Sequence, residues 1–393
     1  MVFEEILAEN LIEEISMGPF GSNIKKECFT DSGVAVLNGS NLVGFSLNED
    51  SFGYITEEKA DSLGKANASR GDVVITHRGT LGQAVFIPQN STRDRYVISQ
   101  SQFRVRCNER ILPEYMVYYL HTPQGRHKLL ANASQVGVPA LARATSTFKK
   151  IVFEVPDIKY QEKVVSVLEL IRAKIEKNSA INNNLLEQAQ ALYNQYFPYS
   201  ISDALPDEWR IGSVSEIIEI HDSKRIPLSG AERMSMENKI YPYYGAASLM
   251  DYVDNFIFDG KYLLLGEDGT VVDDLGYPIL QYVWGQFWVN NHAHVLTGKC
   301  GFNVESLYML FKHTPVKSIV TGAVQQKISQ ANLRSIQIVI PPEATLIEYN
   351  NQIEPLFALL RTNEEENSSL STLRDTLLPK LMNGDIDVST IQL

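Results

Sequence analysis

The stretch YQEKVVSVLELIRAKIEKNSAINNNLLEQAQALYNQYF, Tyr160 to Phe197, decides the fold. Apolar or amide side chains stand at Val164, Leu168, Ile171, Ile175, Asn178, Asn182, Leu185, Ala189, Leu192 and Tyr196, at spacings that alternate between four and three. That is a heptad seam, the pattern of a helix packed along its length on another helix. No Gly or Pro interrupts it before Pro198, so the spacing predicts one helix of about 37 residues, on the order of 55 Å long. The partner lies in the same chain. Glu348 to Met382 repeats the pattern at an offset of 189 residues, with Ile353, Phe357, Leu360, Asn367, Leu378 and Leu381 at the places of Val164, Leu168, Ile171, Asn178, Ala189 and Leu192. Seams of Leu and Ile alone slide into register easily, whereas an Asn at the same seam position in both copies costs stability and fixes one alignment. Asn178, Asn182 and Asn367 are therefore the expected register residues of a spacer. Its helices run antiparallel or side by side, an orientation the spacing leaves open.

Outward from the helix, residues 1–156 and 207–342 share one plan. In the first segment, β-rich runs at Val34 to Leu37, Asp72 to Thr76, Ala84 to Ile87 and Gln102 to Cys107 are punctuated by Gly, Asn and Pro. A helical pattern from Pro113 to Ala131 follows, then a closing run Ile151 to Val155 with Pro156. In the second, Lys312-His313-Thr314-Pro315 matches Leu120-His121-Thr122-Pro123, Gly269-Thr270 matches Gly79-Thr80, and Ile336 to Pro341 matches Ile151 to Pro156. The organisation expected is a head over 1–156, a spacer helix within 157–206, a second head over 207–342 and a second spacer helix within 343–393. The fold class is α+β, a pseudo-two-fold internal repeat in which the chain imitates a dimer.

Size and composition narrow the function. A chain of 393 residues exceeds one core, and with 44% hydrophobic residues and no apolar run long enough for a membrane span it reads as a globular protein off the membrane. Three cysteines without metal-ligand spacing and an acidic start at Glu4-Glu5 fit a reducing cytoplasm and no secretory signal. The net charge of −12 is unevenly spread. Residues 1–156 carry 16 basic and 17 acidic side chains, residues 343–393 carry 3 and 9, so the acidity belongs to the second helix and the first head is free to carry a basic face. Two heads on a helical rod suit a ligand that repeats regularly, as DNA half-sites do. Gly18 to Lys26 and His77 to Gln83 supply loops whose backbone N–H groups and side chains can meet phosphates and base edges; an ordinary Gly turn with solvated charge is an equal reading of the same composition.

Catalytic motifs do not emerge. Gly64-Lys65, Gly260-Lys261 and Gly298-Lys299 lack the frame of a phosphate-binding loop, and Pro341-Pro342 is followed by Glu343 rather than an aromatic residue. His292 and His294 would share one strand face, but without a third ligand they read as structural or hydrogen-bonding groups, with no metal site. Tyr241, Tyr243, Trp284, Phe287 and Trp288 read as core, and Tyr244 as a residue able to stack on a base.

Together, Gly18-Pro19-Phe20-Gly21-Ser22, Gly71-Asp72-Val73-Val74-Ile75 with Arg78-Gly79, Tyr243-Tyr244-Gly245-Ala246, Phe258-Asp259-Gly260, Gly266-Glu267-Asp268-Gly269, Val289 to Val295 and Leu373 to Gly384 resemble the specificity (S) subunit of type I restriction-modification systems. The resemblance covers nearly the whole chain. It implies two target recognition domains separated by two long antiparallel helices, each domain reading half of a bipartite, asymmetric duplex DNA target. It also implies a noncatalytic chain that binds no cofactor itself. Two modification (M) subunits would bind S-adenosylmethionine, and two restriction (R) subunits would use ATP and Mg2+. Carried over residue by residue, the DNA-facing candidates are Ser22, Asn23, Lys25, His77, Arg78, Thr80 and Gln83, then Tyr244, Asp268, Thr270, Gln325, Gln326 and Lys327. Thr321 to Ser329 resembles the family's Gly, Gln, Ser loop; Ala133 to Ser146 departs from it, which leaves Gln135 and Arg143 unassigned. The alternatives are the DNA-reading part of a single-chain restriction-methylation enzyme and a coiled-coil protein adaptor.

Overall fold

The computed structural model describes residues 2–19, 23–134, 138–322, 325–388 and 391. The seam forms a 39-residue helix, Ile158–Tyr196, and its repeat a 40-residue helix, Glu343–Met382. The second tolerates Pro355, which removes one backbone donor and leaves the carbonyl of exposed Asn351 to water. It ends in a Schellman turn. Asp385 N–H donates to the Lys380 carbonyl (2.8 Å), Gly384 N–H to the Leu381 carbonyl (3.3 Å), and Gly384 takes φ +75°.

The chain divides into two compact units, unit 1 being residues 1–176 with 367–393 and unit 2 residues 177–366. Each helix is thus shared, and within each unit the two helix halves run antiparallel. In unit 1 the Tyr160 hydroxyl, near the start of the first helix, donates to the carbonyls of Leu381 (3.2 Å) and Ile386 (3.0 Å), at and just past the end of the second. In unit 2 the Tyr196 hydroxyl, at the end of the first, donates to Glu348 Oε1 (3.0 Å) near the start of the second. The 189-residue repeat appears directly in the two cores. Val164, Leu168, Leu378 and Leu381 pack into the core of unit 1, and their counterparts Ile353, Phe357, Ala189 and Leu192 pack into that of unit 2.

Each head is built on a four-stranded antiparallel sheet of the same order: Ile12–Met17, Gln102–Cys107, Asp72–Thr76, Ala84–Phe86 in unit 1, and Ile218–Ile220, Ala293–Gly298, Tyr262–Gly266, Leu280–Val283 in unit 2. A second sheet in each contains one parallel pair, Val34–Val36 with Arg95–Val97 and Tyr241–Tyr244 with Gln286–Val289. A two-stranded ribbon then feeds each long helix, Glu4–Leu7 with Val152–Val155 and Arg210–Ser213 with Gln337–Ile340. Asp72–Thr76 and Gln102–Cys107 coincide with the runs expected from sequence.

Two expectations are corrected. The single helical pattern from Pro113 to Ala131 is two helices, Pro113–His121 and Pro123–Leu130. Pro123 cannot donate to the preceding turn and forces Thr122 to extended geometry (ψ 155°), where its hydroxyl accepts from Gly125 N–H (3.0 Å) as an N-cap. Trp284 is not core: it is half-exposed and its indole N–H donates to Glu365 Oε1 of the second helix (2.8 Å), whereas Tyr243, Phe287 and Trp288 are buried.

Candidate nucleic-acid interface

The two heads build the same feature at the same end of the sheet. In unit 1 the chain leaves strand Asp72–Thr76 into His77-Arg78-Gly79-Thr80, and His77 N–H donates to the Ser101 carbonyl (2.8 Å). Gly79 N–H donates to the Pro139 carbonyl (3.0 Å), and Leu141 N–H to the His77 carbonyl (2.8 Å). In unit 2 the chain leaves Tyr262–Gly266 into Glu267-Asp268-Gly269-Thr270, and Glu267 N–H donates to the His292 carbonyl (2.8 Å). Gly269 N–H donates to the Gln326 carbonyl (3.0 Å), and Ile328 N–H to the Glu267 carbonyl (2.8 Å). Ladder bridges Arg78 to Ala140 and Asp268 to Lys327 complete the match. Gly79 (φ +85°) and Gly269 (φ +89°) hold the left-handed position that lets each loop turn back. The segment around Ala140, divergent in sequence, therefore performs the backbone role of the Gln326 segment.

In unit 1 the loop lies beside the start of the Gly18-Pro19 segment. Gly18 N–H donates to the Gln102 carbonyl (2.8 Å), and a Cβ on Gly18 would fall 1.8 Å from the Ser99 carbonyl oxygen, an approach only glycine permits. Arg78 and Thr80 are exposed, and Arg78 makes no ion pair among the described residues. Gln83 is half-buried, its amide oxygen 3.4 Å from Thr76 Oγ1. The His77 ring is half-buried with Nε2 3.1 Å from the Gln100 carbonyl; burial first, and Arg78 as well, hold its pKa below the usual histidine value, so it offers a hydrogen bond rather than a charge. Asn23 and Lys25 are exposed on the neighbouring loop, and Ser22 lies outside the described residues, as does Gln135.

Unit 2 presents different chemistry on the same frame. Thr270, Gln325 and Gln326 are exposed. Lys327 is half-exposed but paired with Glu267 (3.2 Å), and the Asp268 carboxylate is bonded to His292 Nδ1. Tyr244 is packed edge-on against Phe287 at 5.8 Å and only partly open, which limits it as a stacking surface. Below the loop lies a charged network invisible in the sequence. Asp222 accepts from Val295 N–H (2.9 Å) and Gln330 Nε2 (2.6 Å) and meets His294 Nδ1 (2.6 Å), while Arg225 spans Glu267 (2.7 Å) and Asp222 (3.4 Å). His294 Nε2 also lies 2.8 Å from the Ile328 carbonyl, so both ring nitrogens are engaged and the ring is held in place. Burial pushes the Asp222 carboxyl up, but hydrogen bonds from His294 and Val295 with the Arg225 charge outweigh it and hold its pKa below the usual range. Donor atoms of Asp222, Glu267 and His294 lie within 4.8 Å of one another. The guanidinium already neutralising the carboxylates makes this a structural brace rather than an open metal donor set.

Two β-rich heads, each presenting a polar loop cluster on a shared frame and each seated on a long antiparallel helix pair, define a two-headed recognition protein. The family model for the type I restriction modification DNA specificity domain matches residues 20–187 and again 206–372, and the chain belongs to that family. Its members are the noncatalytic, DNA-recognising subunits of type I restriction-modification systems. A putative type I restriction enzyme specificity subunit of Haemophilus influenzae is 31% identical over 166 residues, 42% of this chain and 41% of that protein, so this match spans less than half of the relative. The MjaIX specificity subunit of Methanocaldococcus jannaschii is 21% identical over 86% of this chain and 82% of its own length. The S subunit structure from M. genitalium shares the fold at a TM-score of 0.57 and 18% identity, over 96% of both chains.

Proposed function

We propose that each unit reads one half of a bipartite, asymmetric DNA target and that the helix pair sets the nonspecific gap between the halves. The observation that carries this reading is the loop frame built twice by matching backbone hydrogen bonds but furnished differently, with exposed Arg78 in unit 1 and the amides Gln325 and Gln326 in unit 2. Unlike side chains on like frames read unlike half-sites, since Arg suits guanine and Gln suits adenine in the major groove. The DNA-facing set is Ser22, Asn23, Lys25, His77, Arg78, Thr80 and Gln83 with Thr270, Gln325, Gln326 and Lys327, while Asp268 is tied to His292 within its loop and Tyr244 packs on Phe287 at the end of its strand.

The helices in this reading also dock two modification subunits. Leu170 (60% exposed) and Leu359 (46%) stand at equivalent positions 189 residues apart, each with partly buried neighbours, Val167 and Leu356, one turn earlier. An apolar site repeated once per unit fits a partner present in two copies. The M subunits supply S-adenosylmethionine and methylate adenine, and R subunits supply ATP- and Mg2+-dependent cleavage. The test is DNA binding by the complex of full chain and M subunits across a salt series. A linear fall of log affinity with log salt supports phosphate contact; binding of M subunits with no affinity for DNA would leave only a protein adaptor.

A further inference from the structure

Beside the Arg78 loop, unit 1 carries a cleft of about 750 Å3 between helix Pro123–Leu130 and the segment from Ala142 to Val152, with His127, Arg143 and Lys150 on its walls. It is continuous with the loop through the backbone: Ala140 bridges Arg78, and Leu141 N–H donates to His77, two residues before Arg143. Lys128 also lines the cleft, but its ammonium is committed to Tyr119 Oη (2.8 Å), the Val152 carbonyl (3.0 Å) and Glu154 (3.4 Å). Arg143 and Lys150 differ from it, being exposed and without an ion pair among the described residues. Arg143 moreover holds φ +49°, the left-handed region that a residue with a long side chain occupies only at a cost. No ion pair of its guanidinium among the described residues offsets that cost.

The corresponding hollow of unit 2 lacks this chemistry. It is lined by residues such as Thr314, Pro315, Ser318, Ile319 and Ser335, with no Lys or Arg on its walls among the described residues. The turn that carries Arg143 is Ser329-Gln330 there, and Ser335 precedes Ile336 as Lys150 precedes Ile151. The positive charge is thus an addition to unit 1 alone rather than a requirement of the shared fold.

We infer that this cleft is a phosphate site that holds the DNA backbone beside the half-site read by the Arg78 loop, with Arg143 and Lys150 as its two cations. Resting on the reading of unit 1 as a DNA-recognition unit, it adds an anchor that carries no sequence information. The decisive comparison uses the full chain in complex with its M subunits on duplex DNA containing the methylated motif, wild type against Arg143→Gln/Lys150→Gln. Two lost phosphate contacts reduce the slope of log affinity against log salt by about 1.8, weaken binding at low salt at least tenfold, and leave the methylated motif and M-subunit binding unchanged. An unaltered slope, a changed motif, or an equal loss per charge on Lys59→Gln outside the cleft would each overturn the inference. Failure of the underlying reading has its own signature: the wild-type complex would then show no salt-dependent affinity, and Arg78→Ala would leave binding as it was.

Discussion

At the scale of single residues, charge is allocated differently in the two loop frames, and substitution should expose the difference. Arg78 is exposed and makes no ion pair among the described residues, so Arg78→Ala should cost about 1 to 3 kcal/mol of DNA binding if the guanidinium meets a base bidentately, with no loss of thermal stability; calorimetric titration of the complex and a melting curve of the chain separate the two. Lys327 is tied to Glu267, and Lys327→Ala should weaken binding less. Asp222 bears on stability instead. Its depressed pKa means that its contribution is present above the unfolded carboxyl value near 4 and is lost as pH falls through the lower folded value. Urea midpoints measured between pH 7 and pH 3 should therefore fall more steeply for wild type than for Asp222→Asn, which starts about 3 kcal/mol less stable at pH 7. At Gly384, where φ is +75°, alanine should cost about 1 to 2 kcal/mol. Little of the charged network was legible beforehand, because Asp222 meets His294 and Gln330 across 72 and 108 residues and no periodicity marks such pairs. Gly384 was visible as a motif, but the turn it closes was not.

At the scale of the element, the heptad seam was the most legible feature of the chain, since a period of three and four survives any loop change around it. Asn178 and Asn182 are buried on the seam, and their side chains bond across to the second helix. Asn178 Nδ2 donates to Glu366 Oε2 (2.7 Å), Asn182 Nδ2 to Glu364 Oε1 (2.7 Å), and Asn363 Nδ2 to Asn182 Oδ1 (2.8 Å), contacts that only the antiparallel alignment makes. Asn363 escaped the repeat because Lys174 stands at the equivalent place in the first helix, and Asn367 is buried in unit 1. Asn182→Leu alone should destabilise by about 1 to 3 kcal/mol by leaving the buried Asn363 amide short of a partner, while Asn182→Leu/Asn363→Leu should recover that loss or exceed it; urea midpoints of the two variants and wild type decide the matter. The outer faces of the same helices carry the apolar pair Leu170 and Leu359. Leu170→Glu and Leu359→Glu should each release one M subunit, read as a one-subunit drop in the mass of the complex.

At the scale of the molecule, duplication explains why a sequence without a catalytic motif still reads as functional. The order of strands, ribbon and helix recurs, and β-strand runs such as Asp72–Thr76 were legible because both faces of that strand are buried. The helix break at Thr122-Pro123 was overrun by the periodicity on either side of it. Since the helices pack as a pair within each unit, a change of gap calls for a heptad added to both, after Glu176 and after Glu366, about 10 Å of helix in each. Such an insertion should lengthen the gap and leave both half-sites unchanged. The most direct measurement is a genome-wide map, at single-base resolution, of adenines methylated when the chain is coexpressed with its M subunits. A single motif of two unlike halves with a constant gap is the expected result. Methylation at an uninterrupted motif, or none from a stable complex loaded with S-adenosylmethionine, would contradict it.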